Sequence, residues 1–489
     1  MGRWGWRWWA AALGTAAVLR AFVALVLLGG MPMLSDARDY FDAAVRFASG
    51  EFGGAFYWPP GESLVLACAL GPLGKSVLVA RFVTIATSIG SVALSALLAR
   101  ELAGAATGRI AAWIAALYVP SVVLCGQTYA QHLAALCLAA VAYFGLRALR
   151  DLRLGLFAWT GVALGLGCLT RPSMASVVPV LLAAWAHAAH HRRASLCALG
   201  LGAIVATCGA LAFVIPAQAH NWRAGAGWTI STNNERNLWL GNNPYTPDYK
   251  TSHLGQRPLD ELPPDARTYL ESFYARPDAR PAMKRAALAY MAHHPLRTAW
   301  RTLNRATSFW GFDYLGSREV QNWRGWGTRT ALPLLALEVG SYVAVAVLAL
   351  AGLLVHPGAC APQWRVWLIA LTLAYQLPYA IAFSGGTYHF PVVPLVMPFA
   401  AVALANAVEA GKRARERKGA AIVAMGAFAL IQAQYAYFAL TMRPERLSQT
   451  RTDDSSPARS TRSELCRRPR HGPSHDEGDR GQDHDVDHV

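Results

Sequence analysis

Residues 195–216 read SLCALGLGAIVATCGALAFVIP, without one charged side chain. At 1.5 Å per residue such a run matches the ~30 Å hydrocarbon core of a bilayer, which takes about 20 apolar residues to cross. The same reading applies outward along the chain. Further apolar runs lie near 8–30, 76–99, 109–126, 128–146, 155–170, 174–190, 330–355, 364–383, 388–408 and 419–441, giving about eleven spans in 489 residues. The expected fold class is an all-α polytopic membrane protein.

Composition agrees. Hydrophobic residues make up 54% and charged residues 15%, against roughly 45–50% and 25% in soluble domains. An ordinary cytosolic enzyme, a disordered chain and a secreted disulfide scaffold are excluded. Six of the eight cysteines (Cys68, Cys125, Cys137, Cys168, Cys197, Cys208) lie in apolar stretches, where a free thiol behaves as a small hydrophobe. No Cys-x-x-Cys spacing points to a metal.

Lys+Arg 45 against Asp+Glu 29 leaves a net charge of +16. The basic residues fall in alternate short connections: Arg3 and Arg7, Arg100 and Arg109, Arg147, Arg150 and Arg153, Arg192 and Arg193, Arg365, then Lys412 to Lys418. That is the positive-inside pattern, and it predicts a cytoplasmic N-terminus in a cell inner (plasma) membrane. The first span is too long for a signal-peptide core and has no convincing cleavage site, so a retained signal anchor is expected. No basic stripe alternates with stacking aromatics, so nucleic acid is not an expected partner.

This topology places residues 30–75 and 217–329 outside the cytoplasm. Residues 60–74 are apolar but short and read as a re-entrant or interfacial helix. Residues 1–441 form the expected membrane domain. From 442 to 489 hydrophobics vanish, His471, His475, His484 and His488 included among polar neighbours, and a disordered tail is expected.

Chemistry-bearing residues concentrate on the outer side. Ser35-Asp36-Ala37-Arg38-Asp39-Tyr40 opens a short helix, capped by Ser35 and ended at Gly50, with Asp36, Asp39 and Tyr40 on one face. Carboxylates at an apolar interface are costly and often functional, although acids in a first helical turn also serve the helix dipole. Tyr57-Trp58-Pro59-Pro60-Gly61 makes a rigid turn. Arg171, in Leu169-Thr170-Arg171-Pro172, lies at an outer span end, where it can snorkel to lipid or contact an anion specifically. Arg20 falls inside the first span and must find an interior partner that the sequence does not name.

The larger outer segment holds Asn233 to Pro244, with Arg236, Asn242 and Asn243. Amides and arginine there suit sugar or phosphate recognition, and equally ordinary turns. Between Arg223 and Arg329 there are 15 Lys+Arg against 9 Asp+Glu, a balance favouring an anionic ligand. Tyr388-His389-Phe390-Pro391 opens the tenth span. No glycine-rich phosphate loop, His-Glu-x-x-His or Gly-x-Ser-x-Gly motif is present.

In order and spacing these features resemble the GT-C superfamily of integral-membrane glycosyltransferases. The resemblance is especially to bacterial relatives of protein O-mannosyltransferases and lipid A aminoarabinose transferase. The resemblance runs from about residue 10 to 440. It rests on Asp36 and Tyr40, Tyr57–Gly61, Leu169–Pro172, Asn237–Pro244, the amphipathic stretch from Ala292-His293-His294-Pro295 to Trp310, and Tyr388–Pro394. It implies a GT-C-like bundle with extracytoplasmic juxtamembrane helices, a polyprenyl-phosphate sugar donor and inversion at the anomeric carbon. By that likeness Asp36, supported by Asp39, is the base on an acceptor hydroxyl of protein, lipid or glycan. Tyr40, Tyr57, Arg171, Arg236, Asn242, Asn243 and His389 are the expected substrate contacts. Membrane lipid is the implied partner, and neither nucleotide nor metal cofactor is expected. Here Ala37 follows Asp36 where many relatives have a glutamate, Gln131 stands where relatives often have one, and His389 where some have arginine. The competing readings are a transporter or flippase of lipid-linked sugars and a non-catalytic envelope-assembly protein.

Overall fold

The computed structural model describes residues 5–191, 196–249, 262–355, 360–416 and 418–441. Within them the chain is helical, without a β-strand. The expected tail at 442–489 lies outside the described residues.

The first half contains α1 (Gly5–Ala21, continued by a wider turn Phe22–Leu27), α2 (Ser35–Ala48), α3 (Gly61–Leu73), α4 (Val77–Ala103), α5 (Ala105–Leu117), α6 (Val119–Leu124), α7 (Gln131–Asp151), α8 (Leu154–Thr170), α9 (Val178–His191) and α10 (Leu196–Arg223). The outer segment folds as α11 (Asn234–Gly241), α12 (Pro264–Tyr274), α13 (Ala279–His293), α14 (Pro295–Phe309) and α15 (Leu315–Arg324). The chain then returns through α16 (Thr328–Val355), α17 (Pro362–Ile381), α18 (Val393–Ala405, entered by a tight turn Gly386–Val392), α19 (Ala407–Glu416) and α20 (Lys418–Thr441).

Helices occupy all eleven expected positions, and eight of the described ones are long and apolar enough to cross a membrane. The span expected at 109–126 is broken into α5 and α6 around Tyr118 and Pro120. Helix α8 has 17 residues, and α17, though 20 residues long, is not among the eight. At 13 residues, α3 extends roughly 20 Å, too short to cross.

The bundle is ordered from inside out. In α7 and in the Gly386–Ala405 span, 67% and 78% of the apolar window is buried by protein, against 17% in α10 and 11% in α20. The last two therefore present their apolar sides to lipid, as exposed Leu201, Ile204, Leu211 and Ile215 show. Packing in lipid rests on close backbone approach at small residues. Gly161 and Gly165 of α8 form such a seam against α10. A Cβ on Gly161 would stand 2.1 Å from the Ala206 carbonyl oxygen, and one on Gly165 2.5 Å from that of Ala210.

Arg20 is fully buried in this bundle. Its Nε donates to Ser88 Oγ (2.7 Å), and its terminal nitrogens donate to the carbonyls of Ala116 (2.8 Å) and Ala115 (3.0 Å) and to Ser121 Oγ (3.1 Å). The partner that the sequence left unnamed is thus the open end of α5.

Candidate active site

The loop that delivers Asp36 is pinned from below by three residues the sequence reading passed over. Arg81 of α4 donates to the carbonyls of Gly29 (2.8 Å), Met31 (2.6 Å) and Gly126 (3.1 Å). Gln127 accepts from the Leu34 amide and donates to the Pro32 carbonyl, both at 2.9 Å. Thr128 Oγ1 donates to the Ala37 carbonyl at 2.8 Å. Their only sequence signal is polarity inside apolar surroundings.

Helix α2 starts one residue earlier than expected. Leu34 is its N-cap, and no side chain caps it. Ser35, expected to cap, has φ +51°, and its hydroxyl turns to Asp36 Oδ1 at 3.4 Å. The other end follows expectation. Gly50, at φ +79°, allows its amide to reach the Phe47 carbonyl and the Glu51 amide to reach that of Arg46, a Schellman closure.

The proline turn docks α3 onto the end of α8. A Cβ on Gly61 would meet the Thr170 amide nitrogen and Oγ1 at 2.6 Å, so glycine alone permits this contact. Glu62 and Arg171 are brought together as a result. Ser63 Oγ, donating 2.9 Å to the Tyr40 carbonyl, ties α3 to α2.

Asp36, Tyr40, Glu62 and Arg171 therefore share one neighbourhood. Burial pushes the Tyr40 hydroxyl well up, with Arg171 opposing and Asp36 and Glu62 adding to the rise. Glu62 is 4% exposed, and burial pushes its carboxyl up to about 8, against the pull of Arg171. The Arg171 guanidinium lies 5.7 Å from the centroid of the Tyr388 ring. Ser173 Oγ donates to Tyr379 at 2.8 Å, and Tyr379 meets Tyr375 at 3.0 Å, completing an aromatic wall.

A second wall comes from α15, which the sequence reading did not single out. Arg318 pairs with Glu319 at 2.8 Å. Burial, then the Glu319 and Asp36 carboxylates, push the Tyr129 hydroxyl up, placing all three near one another. Helix α15 is held at its start by Glu338 of α16, whose two oxygens accept the Gly316 and Ser317 amides at 3.0 and 2.7 Å. Asp36, Arg171, Arg318 and Tyr388 are only partly buried, so the cluster is open rather than sealed. It combines a carboxylate with two guanidinia, which suits an anion beside a group that gives up a proton.

The other expected site residues make contacts of their own. Asp39 is exposed and accepts from Trp58 Nε1 at 3.2 Å. Tyr57 packs edge-on against Trp58. Arg236 donates to the Tyr274 hydroxyl at 3.3 Å, on the outer subdomain. Asn242 is buried and ties α11 to α17 through the Ile381 carbonyl (3.0 Å). Asn243 donates to the Trp239 carbonyl and accepts the Tyr245 amide. His389 is buried, holds the Phe309 carbonyl through Nδ1 at 3.0 Å and stacks on Tyr342 at 4.2 Å.

Part of the basic surplus between Arg223 and Arg329 is also internal. Arg301 and Arg305 are fully buried. Arg301 donates to Asp248 (3.0 Å) and the carbonyls of Asn243 and Thr246, and Arg305 to those of Gly241 and Ile381. Burial raises the Asp248 carboxyl, but bonds from Arg297 and Arg301 outweigh it and hold the group below its usual range.

Residues 58–220 match the family model described as dolichyl-phosphate-mannose-protein mannosyltransferase. This match and the polytopic helical fold bear out the resemblance to the GT-C superfamily of membrane glycosyltransferases. The matched segment carries the proline turn, Glu62 and Arg171, and begins after Asp36. Among solved structures, the chain is similar to the Archaeoglobus fulgidus oligosaccharyltransferase. Its apo form is 15% identical, with a TM-score of 0.48, covering 93% of this chain and 59% of that one. The form with zinc and sulfate is 13% identical, with a TM-score of 0.45, covering 92% and 59%. The chain thus spans about 59% of the length of those structures. No curated protein sequence matches it.

Proposed function

We propose that the protein transfers a sugar from a polyprenyl-phosphate donor to an acceptor hydroxyl on the extracytoplasmic face of the inner membrane. The acceptor oxygen bonds to the anomeric carbon as the bond from that carbon to the phosphate oxygen breaks. Attack from the opposite side inverts the centre. The acceptor proton passes to the Asp36 carboxylate, and the electron pair departs with the lipid phosphate as a phosphomonoester. A base must lie within about 3 Å of the proton it removes, and guanidinia offset the charge growing on the leaving group. Arg171 takes that role from the α8 end. Arg318, paired with Glu319, lines the acceptor side. No metal or nucleotide takes part in this scheme.

The observation that supports the reading best is the convergence of Asp36 and Arg171 on Tyr40, from opposite ends of the first half of the chain. The test is mass spectrometry of polyprenyl-phosphate sugars and envelope glycoconjugates in a deletion strain. The strain is complemented with wild type or Asp36→Asn at equal membrane levels. Wild type should restore a missing sugar, while Asp36→Asn leaves its lipid-linked donor accumulating. Full restoration by Asp36→Asn would remove Asp36 as the base and favour transport or scaffolding.

A further inference from the structure

The proposed transfer leaves the buried acid beside Arg171 without a role. Glu62 opens α3, its Oε2 has no hydrogen-bond partner and no access to solvent, and Gly61 fixes its backbone against Thr170. A buried carboxyl normally finds a donor, because a buried polar atom left unpaired keeps its desolvation penalty. Arg171 acts on it through space, and no ion pair within 4 Å joins the two. An interaction is therefore left open between a buried acid and the partly buried guanidinium beside it.

We infer that Glu62, carrying its proton, is a phosphate-contacting residue that donates a hydrogen bond to the donor's phosphoryl oxygen beside Arg171. The inference rests on the proposed transferase reading and deepens it. A neutral carboxyl is both donor and acceptor, whereas an ionised one only accepts. Protonated Glu62 therefore complements a phosphate, and ionised Glu62 repels it and competes for Arg171. The proton stays on Glu62 throughout, so the transfer step balances as written above.

Burial keeps the acid neutral against the pull of Arg171. Tyr40 faces it from α2, with Asp36 beyond. From α7 comes Cys137, whose thiol senses the Glu62 charge, and from α8 come Cys168 and Arg171. On α4, Arg81 is engaged by three carbonyls. Among the described residues, Arg171 is the one cation acting on it. With burial outweighing that cation, the carboxyl titrates at about 8, so phosphate binding should weaken as pH rises through that value.

The experiment is binding of farnesyl phosphate to the purified full chain in nanodiscs from pH 6.5 to 9.5. Wild type, Glu62→Gln, Glu62→Ala and Arg171→Gln are compared. Wild type should lose at least fivefold in affinity between pH 7 and 9.5. Glu62→Gln, which keeps a donor and cannot ionise, should bind with nearly constant affinity. Glu62→Ala should be weaker at every pH, and Arg171→Gln weaker still. The wild-type profile carries the test even where a variant folds poorly. A flat wild-type profile, or an unchanged alkaline loss in Glu62→Gln, overturns the role of Glu62 while leaving the transferase reading intact. Loss of binding in Glu62→Gln at pH 7 overturns it too. Absence of farnesyl phosphate binding in wild type overturns both, and failure of Asp36→Asn to block transfer overturns the transferase reading alone.

Discussion

Glu62 also has a stability consequence that does not depend on any substrate. Its carboxyl titrates at about 8 in the folded protein, against an ordinary 4.5. Between those values the folded chain holds a proton that the unfolded chain has released, so raising pH favours unfolding. The contribution is fully present below about 4.5 and is lost as pH rises through 8. Glu62→Gln removes the titration. Its melting temperature should match wild type at pH 5 and exceed it at pH 9, measured by intrinsic fluorescence in detergent. A wild-type advantage at pH 9 would mean that the acid is ionised and usefully paired. At this scale the sequence exposes only part of the site. Asp36 stands out because three aspartates crowd an apolar boundary, and Arg171 because it is alone at an outer span end. Glu62 reads as a routine acid in a first helical turn, since nothing local reveals that Thr170 closes over it. Asn243 and His389 read alike in the sequence but differ in the fold: backbone groups engage the Asn243 amide on both sides, whereas His389 holds the Phe309 carbonyl through Nδ1 and leaves Nε2 without a partner.

Elements show how the membrane setting decides what the side chains do. Apolar length correctly places a helix at 109–126, but length alone cannot show the break between α5 and α6. The break frees the carbonyls of Ala115 and Ala116, and in lipid such groups must be satisfied by protein. Arg20 supplies those bonds, which explains a charge inside the first span. Arg20→Met should lower stability by about 2–4 kcal/mol, the cost of two or more unmet bonds, seen as a reduced melting temperature and poor yield. An unchanged melting temperature would mean that another donor reaches these carbonyls. The contact between α3 and α8 gives a second element-level prediction. Gly61→Ala places a methyl 2.6 Å from the Thr170 amide nitrogen and Oγ1, so α3 must shift and carry Glu62 away from Arg171. Farnesyl phosphate affinity should fall severalfold, while the melting temperature changes by only a few degrees. Equal affinity would show that the 58–62 turn can relax without moving the acid.

Across the whole molecule, orientation decides whether the site can meet a lipid-linked sugar outside the cytoplasm. The rule that lysine and arginine stay inside is statistical, summed over Arg100, Arg109, Arg147, Arg150 and the 412–418 run. It was legible because it needs no tertiary information. The buried outer arginines Arg301 and Arg305 were not separable from it, since their carbonyl partners come from α11 and α17. A protein emptied of native cysteines by alanine substitution allows a direct check with a membrane-impermeant maleimide on intact cells. Asp265 and Lys412 are both exposed, on α12 and α19. Asp265→Cys should label in intact cells, and Lys412→Cys only after permeabilisation. The reverse pattern would put Arg171 and Arg318 in the cytoplasm, and Asp36 with them if the whole chain is inverted. The basic connections at 100–109, 147–153 and 412–418 would then face outward, against the rule that keeps them inside, and the site could not assemble around an extracytoplasmic acceptor. Because α3 is too short to cross, the two labels also report the parity of the first loop. A spanning α3 would leave Asp36 outside and invert everything after it, giving labelled Lys412→Cys with Asp265→Cys protected. An additional Glu51→Cys, beside Asp36 on the first loop, separates the cases. It labels in intact cells if only α3 spans, and stays protected if the whole chain is inverted.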